Sequence, residues 1–332
     1  NLGAGSLTSS SGTTTLNGTA AATTVTVNGG TLNTGGADKL ANAATVAVTA
    51  GTLGVGGNDT VASVAVSSTG TVNVATGSTL TATADSSISG TGKATGGTVA
   101  IANGAKLTLA NNANSTTSDL SVGSTSSLVG TGGTTGKISG SGLLGPGNSP
   151  GILTASQVDV SGGLDFAFEF TGTGAPTYSS ATASRNDLLH LTSGSSPFVG
   201  SFSSANSISF FFNDASLSAS LLAINPSTYL GGFYVDSLNF DIASLLSAAS
   251  KSYYIVDANG GFGYNGVNYS LLSSDVASRV QFGNTNQTNS AFDTGTTSGT
   301  VLSVTMVPEP SSASLLTFAL SGLLALRRRK AS

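Results

Sequence analysis

The chain has 332 residues, of which 8% are charged and none is cysteine, and its formal net charge at pH 7 is −4. The lack of cysteine excludes disulfides, thiolate chemistry and cysteine-ligated metals, and the mildly acidic balance gives no indication of nucleic-acid binding. A composition that is 39% hydrophobic and low in charge also argues against a solvated disordered chain. We therefore expect a folded protein without a nucleic-acid partner.

Aromatic residues divide the chain into two parts. All 14 Phe and all 7 Tyr lie at or after Phe166. A region without aromatic rings must bury many small side chains in a thin, regular stack. We predict a repeat region over residues 1–150, an aromatic-containing β-rich region over residues 151–306, and a separate C-terminal segment over residues 307–332.

The first region contains an internal repeat. The segment VTVNGGTLNTGGADKL begins at Val25 and aligns without gaps with VAVTAGTLGVGGNDTV, which begins at Val46. Looser copies begin at Val64, Val72 and Val99. Each copy reads as an alternating apolar strand, a turn with Gly or Asn, and a second strand. Such a repeat is typical of a solenoid, and about seven coils stacked ~4.8 Å apart over residues 13–160 would form a rod.

The alternation predicts which side chains fill the core of the solenoid. They are Val25, Val27, Leu32, Val46, Val48, Leu53, Val99, Ile101, Leu107 and Leu109. The repeats resemble the autotransporter-associated β-strand repeat, whose copies read like GG-x-DxL…V-x-V-x-x-GTL-x-x-GG-x-DT, and residues 39–61 match it best. The resemblance implies a right-handed parallel β-helix that is displayed at the bacterial surface.

Two Gly-Gly-x-Asp corners end at Asp38 and Asp59. Calcium-binding repeat toxins carry Asp in Gly-rich nonapeptides, but here the motif is partial, and the distance between its two copies is more than twice the length of a nonapeptide. We therefore interpret Asp38 and Asp59 as turn residues. We predict neither a metal site nor a cofactor.

The segment LLGPGNSPGILT, residues 143–154, contains Pro and Gly that interrupt a strand, so a coil must end or bend there. After it, LDFAFEF alternates strictly, and SISFFFND, SYYIVDA, RVQFGN and VLSVTMV are further strand candidates. We expect a wider continuation of the solenoid or a small sandwich. Residues 216–222 and 242–250 are predicted to be short helices or loop insertions.

No arrangement of residues indicates catalysis. His190 is the only His, which excludes a His-Cys dyad and a multi-His metal site, while a Ser-His-Asp triad stays formally open. Asp165 and Glu169 are predicted on the solvent face of one strand with carboxyls roughly 13 Å apart, too far for a glycosidase pair. We therefore predict no catalytic residues and no enzyme. The alternative is a polysaccharide-active β-helical lyase or hydrolase with its site in residues 151–306.

The C-terminal segment has three parts in a fixed order. Residues 311–326 form an uncharged apolar run of roughly 24 Å as a helix, which predicts a transmembrane helix slightly shorter than a bilayer core. The motif before the run is Pro308, Glu309 and Pro310, and the basic row after it is Arg327, Arg328, Arg329 and Lys330. The basic row places the C-terminus in the cytoplasm by the positive-inside rule.

This order resembles the PEP-CTERM sorting signal of Gram-negative bacteria. The resemblance implies that Pro308, Glu309 and Pro310 are recognised by an exosortase, a membrane protease-transpeptidase, and that the segment sits in the inner membrane only transiently. Because this route presupposes secretion, we interpret Asn1 as a processed or truncated start. The predicted protein is all-β and exported, with a structural or adhesive role at the cell surface or in the biofilm matrix. Exopolysaccharide is a further predicted partner.

Overall fold

The structure, a computed structural model, describes residues 3–112, 114–147, 150–174, 185–213, 226–256, 269–272, 274–287 and 298–307. Up to residue 146 the strands are β1 (Ser6–Ser9), β2 (Thr13–Leu16), β3 (Thr24–Val27), β4 (Thr31–Thr34), β5 (Thr45–Val48), β6 (Thr52–Val55), β7 (Asp59–Val61), β8 (Ser63–Val66), β9 (Thr71–Ala82), β10 (Ser86–Gly90), β11 (Lys93–Ile101), β12 (Lys106–Asn111), β13 (Asp119–Val122), β14 (Ser127–Gly130), β15 (Lys137–Gly140) and β16 (Leu143–Pro146).

The later strands are β17 (Ile152–Ala155), β18 (Gln157–Asp159), β19 (Asp165–Phe170), β20 (Leu188–Leu191), β21 (Phe198–Val199), β22 (Ser207–Phe212), β23 (Ser227–Val235), β24 (Ser250–Val256), β25 (Tyr269–Leu271), β26 (Val280–Gln287) and β27 (Gly299–Met306). The short helices are α1 (Ile242–Leu245), a 3-10 turn (Leu246–Ala248) and α2 (Ser274–Ala277). The strands predicted from LDFAFEF, SISFFFND, SYYIVDA, RVQFGN and VLSVTMV are confirmed. Residues 216–222 lie outside the described part of the chain.

Three sheets organise these strands. The largest has 12 strands in the order β1-β3-β5-β8-β10-β12-β14-β16-β19-β22-β24-β25, and the second has ten, from β2 through β4, β6, β9, β11, β13, β15 and β18 to β21, with β7 beside β9. The third is β17-β20-β23-β27-β26. Through the repeat coils, each turn of the chain adds a strand to each of the first two sheets. The new strand pairs in parallel with the strand that the previous turn placed in the same sheet. Long parallel sheets built this way are consistent with the predicted β-helical solenoid.

The register shows that the sequence repeat is a structural repeat. Strands β3 and β5 run parallel with Val25 opposite Val46 and Val27 opposite Val48, and Leu32 lies opposite Leu53 in the next sheet. The predicted stacking of the aligned copies is therefore confirmed. All ten side chains that were predicted to face inward are buried.

The corners between strands bring backbones into close contact. Gly51 has φ of 80° and lies directly over the corner at Gly30, which has φ of 65°. A Cβ atom added at Gly51 would lie 2.4 Å from the carbonyl oxygen of Gly30. Only glycine satisfies both the positive φ and the stacking distance at this corner.

We expect Gly51→Ala to lower the free energy of unfolding by about 3 kcal/mol, since it adds a backbone clash to the cost of a left-handed conformation. The matched control is Gly77→Ala. Gly77 has φ of 78°, but an added Cβ meets nothing within 4 Å, so only the conformational cost of about 1 kcal/mol applies. Urea unfolding of both variants measures the difference. Equal losses would show that coil stacking at Gly51 is looser than the structure indicates.

The coils become wider after residue 150 while the largest sheet continues. Leu144 of β16 lies opposite Phe166 of β19, and Phe166 in turn lies opposite Ile208 of β22, so the second of these two coils is almost twice as long as the first. The wider coils enclose a core of aromatic rings, with the Phe168 and Phe233 centroids 4.8 Å apart. The two compositional regions therefore share one continuous sheet.

Candidate functional site

The last described strand, β27, anchors the chain immediately before the C-terminal segment. Strand β27 lies between β23 and β26 and is antiparallel to both. Its Val301, Leu302 and Val304 side chains are fully buried. One residue beyond the strand, the Val307 N–H donates to the carbonyl oxygen of Arg279 at 3.0 Å. The hydrogen bonds of the folded body thus reach the residue just before the predicted sorting motif.

The predicted sorting residues themselves lie outside the described part of the chain. They are the motif Pro308, Glu309 and Pro310, the apolar run 311–326, and the basic row Arg327, Arg328, Arg329 and Lys330. Among the residues that the structure does describe, no helix has the length and apolar character needed to cross a membrane.

A buried polar cluster lies near the C-terminal end of β19, on the face of the strand that the sequence predicted to be exposed to solvent. Glu169 is only 1% exposed, so that prediction is wrong. The physical reason is that the wide coils bring Asp187 and Asn213 against this end of the strand. The Asn213 amide donates to Glu169 Oε1 at 3.1 Å, and Asp187 Oδ2 accepts from the Glu169 N–H at 2.7 Å.

The two carboxyl groups of this cluster have different roles. Asp187 uses both oxygens on backbone amides, because its Oδ1 also accepts from the Gly151 N–H at 2.9 Å. Glu169 Oε2 has no hydrogen-bond partner within the described residues. Burial raises the pKa of Glu169 to about 7, against a smaller lowering by the Asn213 amide. Burial also raises the pKa of Asp187 well above its usual range, and the nearby Glu169 charge raises it further.

His190 is paired with a carboxylate. It lies on β20 opposite Thr154 and Tyr234 of the neighbouring strands, and its Nε2 is 2.7 Å from Asp236 Oδ1. Its ring lies against Tyr234, with centroids 5.1 Å apart. In the described residues no serine hydroxyl hydrogen-bonds to His190, so the triad that the sequence left open has a base and an acid but no placed nucleophile. The pair holds β20 to the segment that follows β23.

The two Gly-Gly-x-Asp corners make turn contacts. Asp59 Oδ2 accepts from the Lys39 and Leu40 N–H groups, both at 3.1 Å, and so joins neighbouring coils. The Asp38 N–H donates to the Asn58 carbonyl oxygen at 3.0 Å. Across the described ranges, no group of three or more His, Cys, Asp or Glu residues is placed to hold a metal ion.

Comparison with known families decides how the C-terminal segment is interpreted. Residues 307–330 match the PEP-CTERM protein-sorting motif. The match spans the tripeptide, the apolar run and the basic row, and it indicates an exported protein that an exosortase-type system sorts. The resemblance of the strand repeats to the autotransporter-associated repeat stays a prediction. Neither a curated protein nor a solved structure matches the chain.

One surface feature was missed by the sequence analysis. Phe211, Tyr254 and Leu271 occupy one row across β22, β24 and β25 on the outer face of the largest sheet, beside the buried Glu169 of β19. The signal was present in the consecutive aromatic residues. In SISFFF, a strand that buries Phe210 and Phe212 must turn Phe211 outward, and the YY pair of β24 does the same with Tyr254.

Proposed function

We propose that this protein is an exported structural component of the bacterial surface or extracellular matrix, sorted by an exosortase-type system and associated with exopolysaccharide in the biofilm. The observation that carries the proposal is the PEP-CTERM motif directly after a body built on long parallel β-sheets. A solenoid of stacked coils gives a rod that is suited to display and spacing rather than to enclosing a substrate.

The C-terminal segment supplies the proposed route. Residues 311–326 form a helix that holds the chain in the inner membrane transiently, and the basic row 327–330 fixes its orientation. Pro308, Glu309 and Pro310 are the element that the sorting enzyme recognises. The body that is delivered is a right-handed parallel β-helix, because parallel crossovers are right-handed in nearly all proteins. Its repeats are of the autotransporter-associated type.

The outer faces of the repeats support an association with polysaccharide. Thr13, Thr31, Thr52 and Thr71 stand in one register row across β2, β4, β6 and β9. Such a row offers hydroxyl donors and acceptors without charge. Many weak hydrogen bonds of this kind would hold a hydrated glycan along the rod without selecting one short sequence of sugars.

A structural role also agrees with the chemistry of the buried groups. Both carboxyl oxygens of Asp187 accept from backbone amides, those of Gly151 and Glu169, which is a structural arrangement. His190 is engaged by Asp236, and no described serine hydroxyl hydrogen-bonds to it. We therefore propose a non-enzymatic protein rather than a lyase or a hydrolase.

The test is sedimentation of the purified secreted protein with polysaccharide extracted from the matrix of the producing bacterium. We expect the protein to sediment with the polysaccharide and to leave its chain length unchanged on size-exclusion chromatography. Serum albumin is the non-binding control. Shortening of the polysaccharide would show that the protein is an enzyme, and recovery of all protein in the supernatant would remove the proposed association.

A further inference from the structure

The outer face of the largest sheet changes character at its C-terminal end. Along the first repeat coils its outward positions hold small or polar residues, such as Thr26, Ala47 and Ala65, which lie in one register row. Across β22, β24 and β25 the outer row instead holds Phe211, Tyr254 and Leu271. The rod therefore carries large apolar side chains on its outside at one location.

The rings of this location are arranged as a cluster. Phe211 and Tyr254 are stacked with centroids 4.9 Å apart and an interplanar angle of 12°. The ring of Tyr269 stands at 74° to that of Tyr254, with centroids also 4.9 Å apart. Contacts between the three rings hold each at a defined angle, so the cluster presents a preorganised surface.

Part of the cluster is strongly exposed. Tyr269 is 52% exposed and Leu271 is 66% exposed, and within the described residues they are the exposed large hydrophobic side chains. All three residues of β25 face solvent. Exposed apolar side chains gathered at one place, rather than scattered singly, mark an interaction site.

The charge of the location restricts its ligand. Strands β22, β24 and β25 contain one charged residue, Lys251. Its Nζ already donates to the carbonyl oxygens of Leu246 and Ala249, at 3.0 and 2.6 Å. No cation of these strands is therefore available for a phosphate or an acidic peptide. The polar groups on the same face are hydroxyls, including those of Ser209 and Ser252, which lie opposite each other on β22 and β24.

The exposed area restricts the ligand further. A stable protein partner buries about 800 Å² on each side of an interface. Two exposed large apolar side chains on a three-residue strand offer far less than that. A sugar ring needs only one aromatic face for its C–H groups and a few hydroxyl partners, which this cluster offers.

We propose that Tyr254, Tyr269 and Leu271 form a binding subsite for a neutral polysaccharide chain, in which the Tyr269 ring contacts the C–H face of one sugar unit. The inference rests on the proposed association with polysaccharide and gives it a location. The inference also specifies the class of polysaccharide, because an uncharged aromatic and hydroxyl surface selects neutral chains over polyanions.

The test is affinity gel electrophoresis of the secreted protein in gels that contain hydroxyethyl cellulose, dextran or alginate. We expect at least one neutral chain to retard the protein, and alginate to have no effect. Tyr269→Ala should weaken the retardation about tenfold, whereas Tyr269→Phe, which keeps the ring, should change it less than about threefold. Thr26→Ala, at an outward position of the same sheet far along the rod, is the matched control. It removes one hydroxyl among many weak contacts and should weaken the retardation far less than Tyr269→Ala.

Retardation by alginate alone, or an unchanged affinity of Tyr269→Ala, would overturn the proposed subsite. Leu271→Ala provides a second variant at the most exposed position of the cluster, and it should also weaken binding. These results are separable from the sorting route. A protein that is sorted to the surface but binds no neutral chain contradicts the subsite alone, whereas a protein that binds but is not sorted contradicts the proposed route.

Discussion

Replacement of Pro308, Glu309 and Pro310 by Ala is expected to abolish delivery of the protein to the cell surface. The apolar run 311–326 and the basic row 327–330 survive in this variant, so the chain still stops in the inner membrane. The recognition element of the sorting enzyme is lost. We expect a full-length species in the inner-membrane fraction and a reduction of at least about tenfold in the surface fraction, measured by fractionation and immunoblotting.

The matched control replaces Ser311, Ser312 and Ser314 by Ala. It makes the same number of substitutions immediately after the motif and preserves the apolar run. This control should be delivered like the unmodified protein. Normal delivery of the variant without the tripeptide would contradict the proposed role of residues 308–310. Reversal of the basic row 327–330 to acidic residues should act at an earlier step, because it removes the charge bias that orients the segment.

The second large effect is a loss of stability as pH rises, caused by Glu169. The pKa of its carboxyl is about 7 in the folded protein, above its ordinary value of 4.5, because burial disfavours the charge. The folded state therefore holds a proton that the unfolded state releases in this range. The contribution of Glu169 to stability is therefore greatest below about pH 4.5 and is lost as pH rises through about 7, by about 3 kcal/mol in total. The raised pKa of Asp187 acts in the same direction.

Glu169→Gln removes this titration while keeping an acceptor for the Asn213 amide. Urea unfolding at pH 5 and pH 8 should show that the free energy of unfolding of the variant falls less between the two values than that of the unmodified protein. The difference between the variant and the unmodified protein cancels the contribution of other carboxyls, such as Asp159 and Asp241, whose pKa values are lowered by hydrogen bonds. An equal pH dependence in both proteins would mean that Glu169 is hydrated and not buried.

The stacking of the coils could be predicted from the sequence because its cause is local. In the repeats, a strand buries every second residue and pairs with its own copy in the next repeat, so Val27 over Val48 follows from alignment alone. The C-terminal motif is also local, since its three parts lie within residues 307–330.

The buried polar groups could not be predicted in the same way, since they depend on distant segments. Asn213 lies 44 residues after Glu169 in the sequence, and Asp236 lies 46 residues after His190, yet each pair is joined by a hydrogen bond. The alternation of β19 correctly places Phe168 inward, but it contains no information on what covers the outward side. Because the coils after β19 are almost twice as long, the additional residues are available to cover that side, and Glu169 is buried.

The intact mass of the protein recovered from the cell surface tests the central claim most directly. If the C-terminal segment is a sorting signal that is cleaved, the mass must correspond to a chain that has lost Arg327, Arg328, Arg329 and Lys330. The variant that lacks the tripeptide should retain them and stay with the membrane. Recovery of surface protein that still ends in Lys330, Ala331 and Ser332 would contradict processing and would make the segment a simple anchor.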